Sequence, residues 1–157
     1  APPLDMMGLD GLATLLFLFF VFVESLADNQ QWAFQTEKYR RKISGLALSG
    51  DYIDGFCQSG LFALVRKPNY AAEQSIWVSF YLFSVASLRG RLVNWTLTGP
   101  FLLILLFQGS GWLTELLTER RYPSYSEYKR KVPRYIPSLP HLFRVYMLQG
   151  GGKKKSN

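Results

Sequence analysis

Three clusters in this sequence have residue types and spacing that could do chemistry. The first is "RKPNYAAE", residues 66–73, where two cations, a tyrosine and a carboxylate surround a Pro-Asn pair beside a long apolar run. Cations next to a helix N-terminus are what phosphate binding requires, because the free backbone N–H groups and the helix dipole favour an anion. A structural interpretation is also open, in which Asn69 caps the helix and Glu73 lies in its first turn.

The second cluster is a polar stripe. Glu24, Asp28, Gln31 and Gln35 recur at spacings of four, three and four, which places them on one side of a helix that continues out of an apolar run. The stripe indicates either a helix emerging into water or a wall of a polar cavity. Both interpretations stay open, because ionisable groups near a membrane boundary fit either.

The third cluster, "TERRYPSYSEYKRKVPRYIP" at residues 118–137, interleaves tyrosines with Lys and Arg side chains. It is typical of an interfacial segment, in which aromatic rings lie at headgroup level and cations extend into water. The alternative is a cradle for an anion. Because the chain has one cysteine and one histidine, Cys57 and His141, we expect no intrachain disulfide, no zinc site and no Ser-His-Asp or Cys-His catalysis.

Three apolar runs must position these clusters. The first has an unbroken apolar core from Leu15 to Val23, the second covers 71–88, and the third runs from Trp95 to Leu117. Each approaches the ~20 residues that a helical membrane span needs. The sequence therefore predicts an all-α integral membrane protein with about three transmembrane helices, the first extended beyond the membrane, and a C-terminal interfacial segment.

The positive charge is distributed on one side of this topology. Of the 18 Lys and Arg residues, six lie in the loop at 35–70 and ten follow Leu117, while Arg89 and Arg91 lie between the second and third runs. Three spans place the two basic segments on the same face, as the positive-inside rule expects. The net charge of +7 then reflects topology and contact with membrane lipids, and we expect no nucleic-acid partner because no recognition motif accompanies it.

The clusters together resemble the C-terminal part of the steroid 5α-reductase family. The matching stretches are "ESLADNQQWAFQ", "GLFALVRKPNYAAE" and "SGWLTELLTERRYPSYSEYKRKVPRYIP", which extend the resemblance from about Leu4 to about Pro137. Residues 1–137 would be a membrane domain similar to the cofactor-binding half of these reductases, and 138–157 a basic tail. A more distant resemblance, through an "R-x-P-x-Y" loop, is to isoprenylcysteine carboxyl methyltransferases, which bind S-adenosylmethionine.

The resemblance implies an enzyme that transfers hydride from NADPH to the carbon–carbon double bond of a lipophilic enone. It implies catalytic roles for Tyr70 and Glu73 and places the protein in an organellar or endoplasmic reticulum membrane. The cofactor-binding residues that it implies are Asp28, Arg66, Asn69, Arg120 and Arg121.

The sequence also departs from the family. Lys67, Ala72 and Gln35 differ from the family pattern, and family members place further spans before the first matching one. A three-span groove would expose carboxylates to lipid unless something covered it. Our first expectation is therefore a shortened, non-catalytic accessory subunit, associated with other membrane subunits and holding no cofactor or a bound lipid. The alternatives are an NADPH-dependent reductase completed by further spans and an S-adenosylmethionine-dependent methyltransferase.

Overall fold

The computed structural model describes residues 4–151, with side chains for residues 7–148, and helices are its regular secondary structure. A short 3-10 helix, Trp95–Leu97, leads into the fifth α-helix. Lys153, Lys154 and Lys155 of the expected basic tail lie outside the described residues. The α-helices are α1 Leu4–Ile43, α2 Asp51–Asp54, α3 Leu61–Leu64, α4 Pro68–Ser87, α5 Thr98–Arg121, α6 Tyr125–Lys131 and α7 Leu139–Gly151.

Within residues 4–151, two helices are long and apolar enough to cross a membrane. They are Met7–Ile43 within α1 and Trp95–Arg121, which includes α5. Only 6% and 11% of their most apolar windows is buried, as expected for helices that face lipid. α4 has 20 residues, but among the described helices it does not reach the same apolar composition. The all-α membrane fold is confirmed, and the third span remains a prediction.

The chain divides into two compact units. The first consists of the residues up to Leu26 and Asn69–Thr114, and the second of Ala27–Pro68 and the residues from Glu115 onward. Within the first unit, small side chains such as Ala13 and Ala72 are buried. The Nε2 atom of Gln108 on α5 donates to Oε1 of Gln74 on α4 at 3.1 Å.

The second unit has an aromatic core. One cluster joins Phe56 to Tyr125, Tyr128 and Val132, and another joins Phe34 to Cys57 and Phe62. The Tyr128 hydroxyl donates to the carbonyl of Phe62 at 2.5 Å and so connects the clusters. Because these residues come from distant segments, their burial holds the segment 44–67, which includes α2 and α3, against the segment after α5.

Two local predictions need correction. α4 begins at Pro68, since proline at the first helical position loses no needed hydrogen bond. Asn69 therefore lies inside the first turn and does not cap it, and Glu73 lies beyond that turn. The segment 138–157, predicted as a basic tail, includes the helix α7, and its assignment as a tail stays a prediction.

Candidate functional site

A buried ion cluster, which we call the charge clamp, consists of Arg66, Glu115 and Arg134. Arg66 Nε lies 2.8 Å from Glu115 Oε1, and Arg134 Nη2 lies 2.7 Å from Glu115 Oε2. The Glu115 side chain is 1% exposed and that of Arg66 9%. A buried carboxylate of this kind is stable only when cations and hydrogen bonds compensate its lost hydration.

The remaining donors of Arg66 also contact protein. Its Nη1 donates to the carbonyls of Lys129 and Val132, and its backbone N–H donates to Pro133 at 2.8 Å. The guanidinium thus ties the loop before α4 to the chain after α6. These contacts give the side chain a structural role. They do not test its predicted role in binding a cofactor phosphate, which stays a prediction.

Titration around the charge clamp follows burial and pairing. Burial lowers the pKa of Lys67, which is adjacent in sequence to Arg66. The hydrogen bond to Glu115 raises the pKa of Arg134. Burial raises the pKa of the Tyr125 and Tyr128 phenols. At neutral pH both tyrosines are therefore protonated hydrogen-bond donors.

A second feature, which we call the basic groove, is a cavity of about 500 Å³ in the second unit. α1 supplies amides and cations, the loop after α2 supplies a glycine and a phenylalanine, and the end of α5 supplies a third cation. The described lining carries three positive charges and no carboxylate. Its residues are Gln31, Gln35, Lys38, Tyr39, Lys42, Gly55, Phe56, Leu117, Thr118, Arg121 and Tyr122.

Lys38 and Gly55 shape the basic groove. The Lys38 ammonium donates to the Gly55 carbonyl at 2.9 Å and lies 5.6 Å from the ring centroids of Phe34 and Tyr122. Gly55 has φ +88°, and a Cβ there would lie 2.3 Å from Cε1 of Tyr122. Glycine is required on both counts, because side chains disfavour this φ and the ring occupies the space.

The structure distributes the predicted site residues over both units. Arg121 lines the basic groove, whereas Asp28 and Arg120 are exposed and lie outside the described lining. Asn69, Tyr70 and Glu73 belong to the first unit, and their predicted roles are untested.

Two of these first-unit side chains make defined contacts. The Tyr70 hydroxyl lies 3.4 Å from that of Ser110, and its ring packs edge-on against Phe107 with centroids 4.9 Å apart. The Glu73 carboxylate accepts a hydrogen bond from the Trp77 indole at 3.0 Å. Both polar groups are therefore held in position within the first unit.

Sequence reasoning missed Lys38 and Lys42 in the groove and Glu115 in the clamp. The lysines continue the stripe of Gln31 and Gln35 at helical spacing, so extending the stripe by two turns would have found them. Glu115 had a weaker signal, a lone carboxylate near the end of an apolar helix. Such a group is costly unless it is paired.

Comparison with known proteins gives a family but no described function. The pattern of DUF1295, described as a protein family of unknown function, matches residues 2–132. An uncharacterized protein of the fission yeast Schizosaccharomyces pombe is 40% identical over 140 residues. That alignment covers 83% of this chain and 39% of the yeast protein, so the chain spans less than half of this relative. No solved structure matches the chain significantly.

Proposed function

The chain belongs to the DUF1295 family, which lies in the steroid 5α-reductase-like group, and we propose that it supplies the nucleotide-binding part of an NADPH-dependent membrane reductase. The substrate class is a lipophilic enone. The observation that carries the proposal is the basic groove, whose chemistry suits a phosphate-bearing nucleotide.

The lining of the groove supports this choice of ligand. Lys38, Lys42 and Arg121 supply three cations with no carboxylate among the described lining residues, so an anion gains attraction without repulsion. The pyrophosphate and 2′-phosphate of NADPH match this charge. The volume of about 500 Å³ lies in the usual range for ligand sites of roughly 300–1,000 Å³.

The uncharged lining offers complementary contacts. The Tyr39, Phe56 and Tyr122 rings give flat apolar faces for a base, and the amides of Gln31 and Gln35 can donate to and accept from ribose or base atoms. Gly55 keeps the groove open, because a Cβ there would enter the space of Tyr122. The donor set therefore fits a nucleotide.

When bound, NADPH supplies the hydride for reduction of a polarised double bond. In this proposal the Tyr70 phenol donates a proton or hydrogen bond to the enone, and the Glu73 carboxylate orients the reacting end. Hydride transfer requires water to be excluded and the two partners to be aligned. The further segments of longer relatives would complete that chamber.

A non-catalytic accessory subunit is the second candidate. The observation that favours it is the apolar surface of α1 and α5, whose most apolar windows are only 6% and 11% buried. Other membrane subunits could cover this surface, and the basic groove would then hold a lipid headgroup and no NADPH. The two candidates differ in the ligand of the groove and in the need for partners.

Direct binding tests the proposal. The whole chain would be reconstituted in nanodiscs and titrated with NADPH, NADH and S-adenosylmethionine, with tryptophan fluorescence as the readout. We expect NADPH to bind most tightly and the Lys42→Gln/Arg121→Gln variant to bind it at least tenfold more weakly, since each lost phosphate contact costs on the order of 1 kcal/mol. Arg130→Gln, which removes an exposed cation outside the described lining, should bind normally.

Other binding results would overturn the proposal or favour another function. NADPH binding that is absent, or equal in all variants, would overturn the proposal. Copurification of other membrane subunits together with absent NADPH binding would favour the accessory subunit. Preferential binding of S-adenosylmethionine would favour a methyltransferase.

A further inference from the structure

The helix α7 carries a stripe of large apolar side chains on its exposed side. Leu139, Phe143, Tyr146 and Met147 are 81%, 66%, 74% and 57% exposed. Their spacing of four, three and one places them on one face of a helix. We call these four residues the apolar stripe. Soluble surfaces rarely present such a contiguous face, so it indicates a contact surface.

The other side of α7 is fixed to the second unit. His141 is 8% exposed, and its Nε2 donates to the carbonyl of Ala63 at 2.6 Å. Val145, one turn later, lines a cavity of about 420 Å³ together with Tyr128 and Val132. This side of the helix therefore packs against the second unit, and the apolar stripe points away from the packed side.

We propose that the apolar stripe of α7 docks into the surface of an anionic membrane, with the helix lying parallel to the bilayer plane. A helix of 13 residues is shorter than the ~20 residues that a span needs, so it cannot cross. A short helix with one apolar face and adjacent cations is the type that lies in the interface. The part of the chain that the structure describes contains two candidate spans, so a bilayer is the apolar phase available to it.

Charge complementarity favours an anionic surface. Arg144 is exposed and follows Phe143, a residue of the apolar stripe, in the sequence. Lys153, Lys154 and Lys155 follow α7 in the sequence. Basic residues near an anionic leaflet are attracted to its negative surface potential. A protein partner with a matching apolar groove, or a second copy of this chain, would not require these cations.

Accessibility of a nitroxide label tests the docking. The label would be attached to Phe143→Cys or Met147→Cys in a Cys57→Ala background, with the whole chain in nanodiscs containing phosphatidylserine. We expect both sites to be reached by oxygen, which dissolves in lipid, and to lose accessibility to a water-soluble nickel chelate. A label at Arg130→Cys, an exposed position on α6, should show the opposite preference.

A charge variant completes the test. Replacing Lys153, Lys154 and Lys155 by Gln, or using nanodiscs of phosphatidylcholine alone, should increase nickel accessibility at 143 and 147. High nickel accessibility at both stripe sites in the original protein would overturn the proposal. Low accessibility to both reagents would also overturn it, because a protein partner or a second copy would then cover the stripe. If docking is the same without the three lysines and in nanodiscs of phosphatidylcholine alone, the proposal that the surface is anionic is wrong.

Discussion

The carboxylate of Glu115 on α5 lies 2.8 Å from the guanidinium of Arg66, which precedes α4. Both side chains are almost fully buried, and Arg134 Nη2 pairs with Glu115 Oε2 at 2.7 Å. The three residues connect segments that are far apart in the sequence. Because a buried charge without its partner is costly, the second unit should depend strongly on this contact.

We expect Glu115→Gln to destabilise the protein by about 3–5 kcal/mol, since it removes the carboxylate that compensates the buried guanidinium of Arg66 and the partly exposed one of Arg134. The measurement is the free energy of unfolding in detergent. The control is Glu119→Gln, whose pair with Lys129 at 3.1 Å is about one-third exposed. That change should cost at most about 1 kcal/mol. Equal losses of unfolding free energy in the two variants would show that the charge clamp stabilises the protein no more than the exposed pair does.

The groove geometry predicts that Gly55→Ala weakens NADPH binding, because the new Cβ must displace the Tyr122 ring. Gly45→Ala is a matched control, since Gly45 also has a positive φ, +64°, but faces open space. Both changes carry a backbone cost on the order of 1–2 kcal/mol in stability. Only Gly55→Ala should reduce affinity in the fluorescence titration. Equal affinities would argue against the basic groove as the site.

Burial of Lys67 predicts a pH effect on stability. Its pKa is lowered in the folded protein from the ordinary 10.5, so the unfolded chain binds more protons between the folded pKa and 10.5. Stability contributed by this group therefore increases with pH in that window. Lys67→Met should remove the increase, measured by thermal unfolding at alkaline pH, whereas Lys42→Met, at an exposed site, should retain it. An unchanged pH profile in Lys67→Met would contradict the expectation.

Topology can be decided by cysteine labelling from each side of sealed vesicles, with Cys57 replaced by Ala. Three spans, as the 16-to-2 distribution of cations predicts, put Ser44→Cys and Ser156→Cys on one side and Val93→Cys on the other. Val93 is 86% exposed. If only α1 and α5 cross, Ser44→Cys and Val93→Cys will instead react together, opposite Ser156→Cys.

The proposed chemistry predicts that Tyr70→Phe lowers enone reduction about a hundredfold or more, as expected for loss of a proton donor. NADPH affinity should be unchanged, because the basic groove supplies the cofactor contacts. Tyr81→Phe is the control, since that phenol lies on the same helix and donates to the carbonyl of Leu92. The assay requires a form of the protein with enone reductase activity. Equal turnover of both variants there would remove Tyr70 from the catalytic residues.

The sequence by itself determined the helical membrane architecture. The apolar runs around Leu15–Val23 and after Trp95 predicted α1 and α5, because the thickness of a bilayer sets the length that an apolar helix must have. The stripe from Glu24 to Gln35 also correctly placed the continuation of α1 beyond its apolar part. These features depend on the period and the composition of neighbouring residues, which can be counted along the chain.

Only the tertiary structure decided which polar residues meet. Arg66 was available by sequence for a phosphate, but folding places it against Glu115, and no local pattern encodes a pair separated by 49 residues. The stripe of α1 did not show that Lys38 and Lys42 line a cavity while Asp28 lies outside its described lining. Which residues of α1 line the cavity depends on the packing of Gly55 and Tyr122. Local periodicity determines which face of a helix is polar, whereas long-range packing determines what that face contacts.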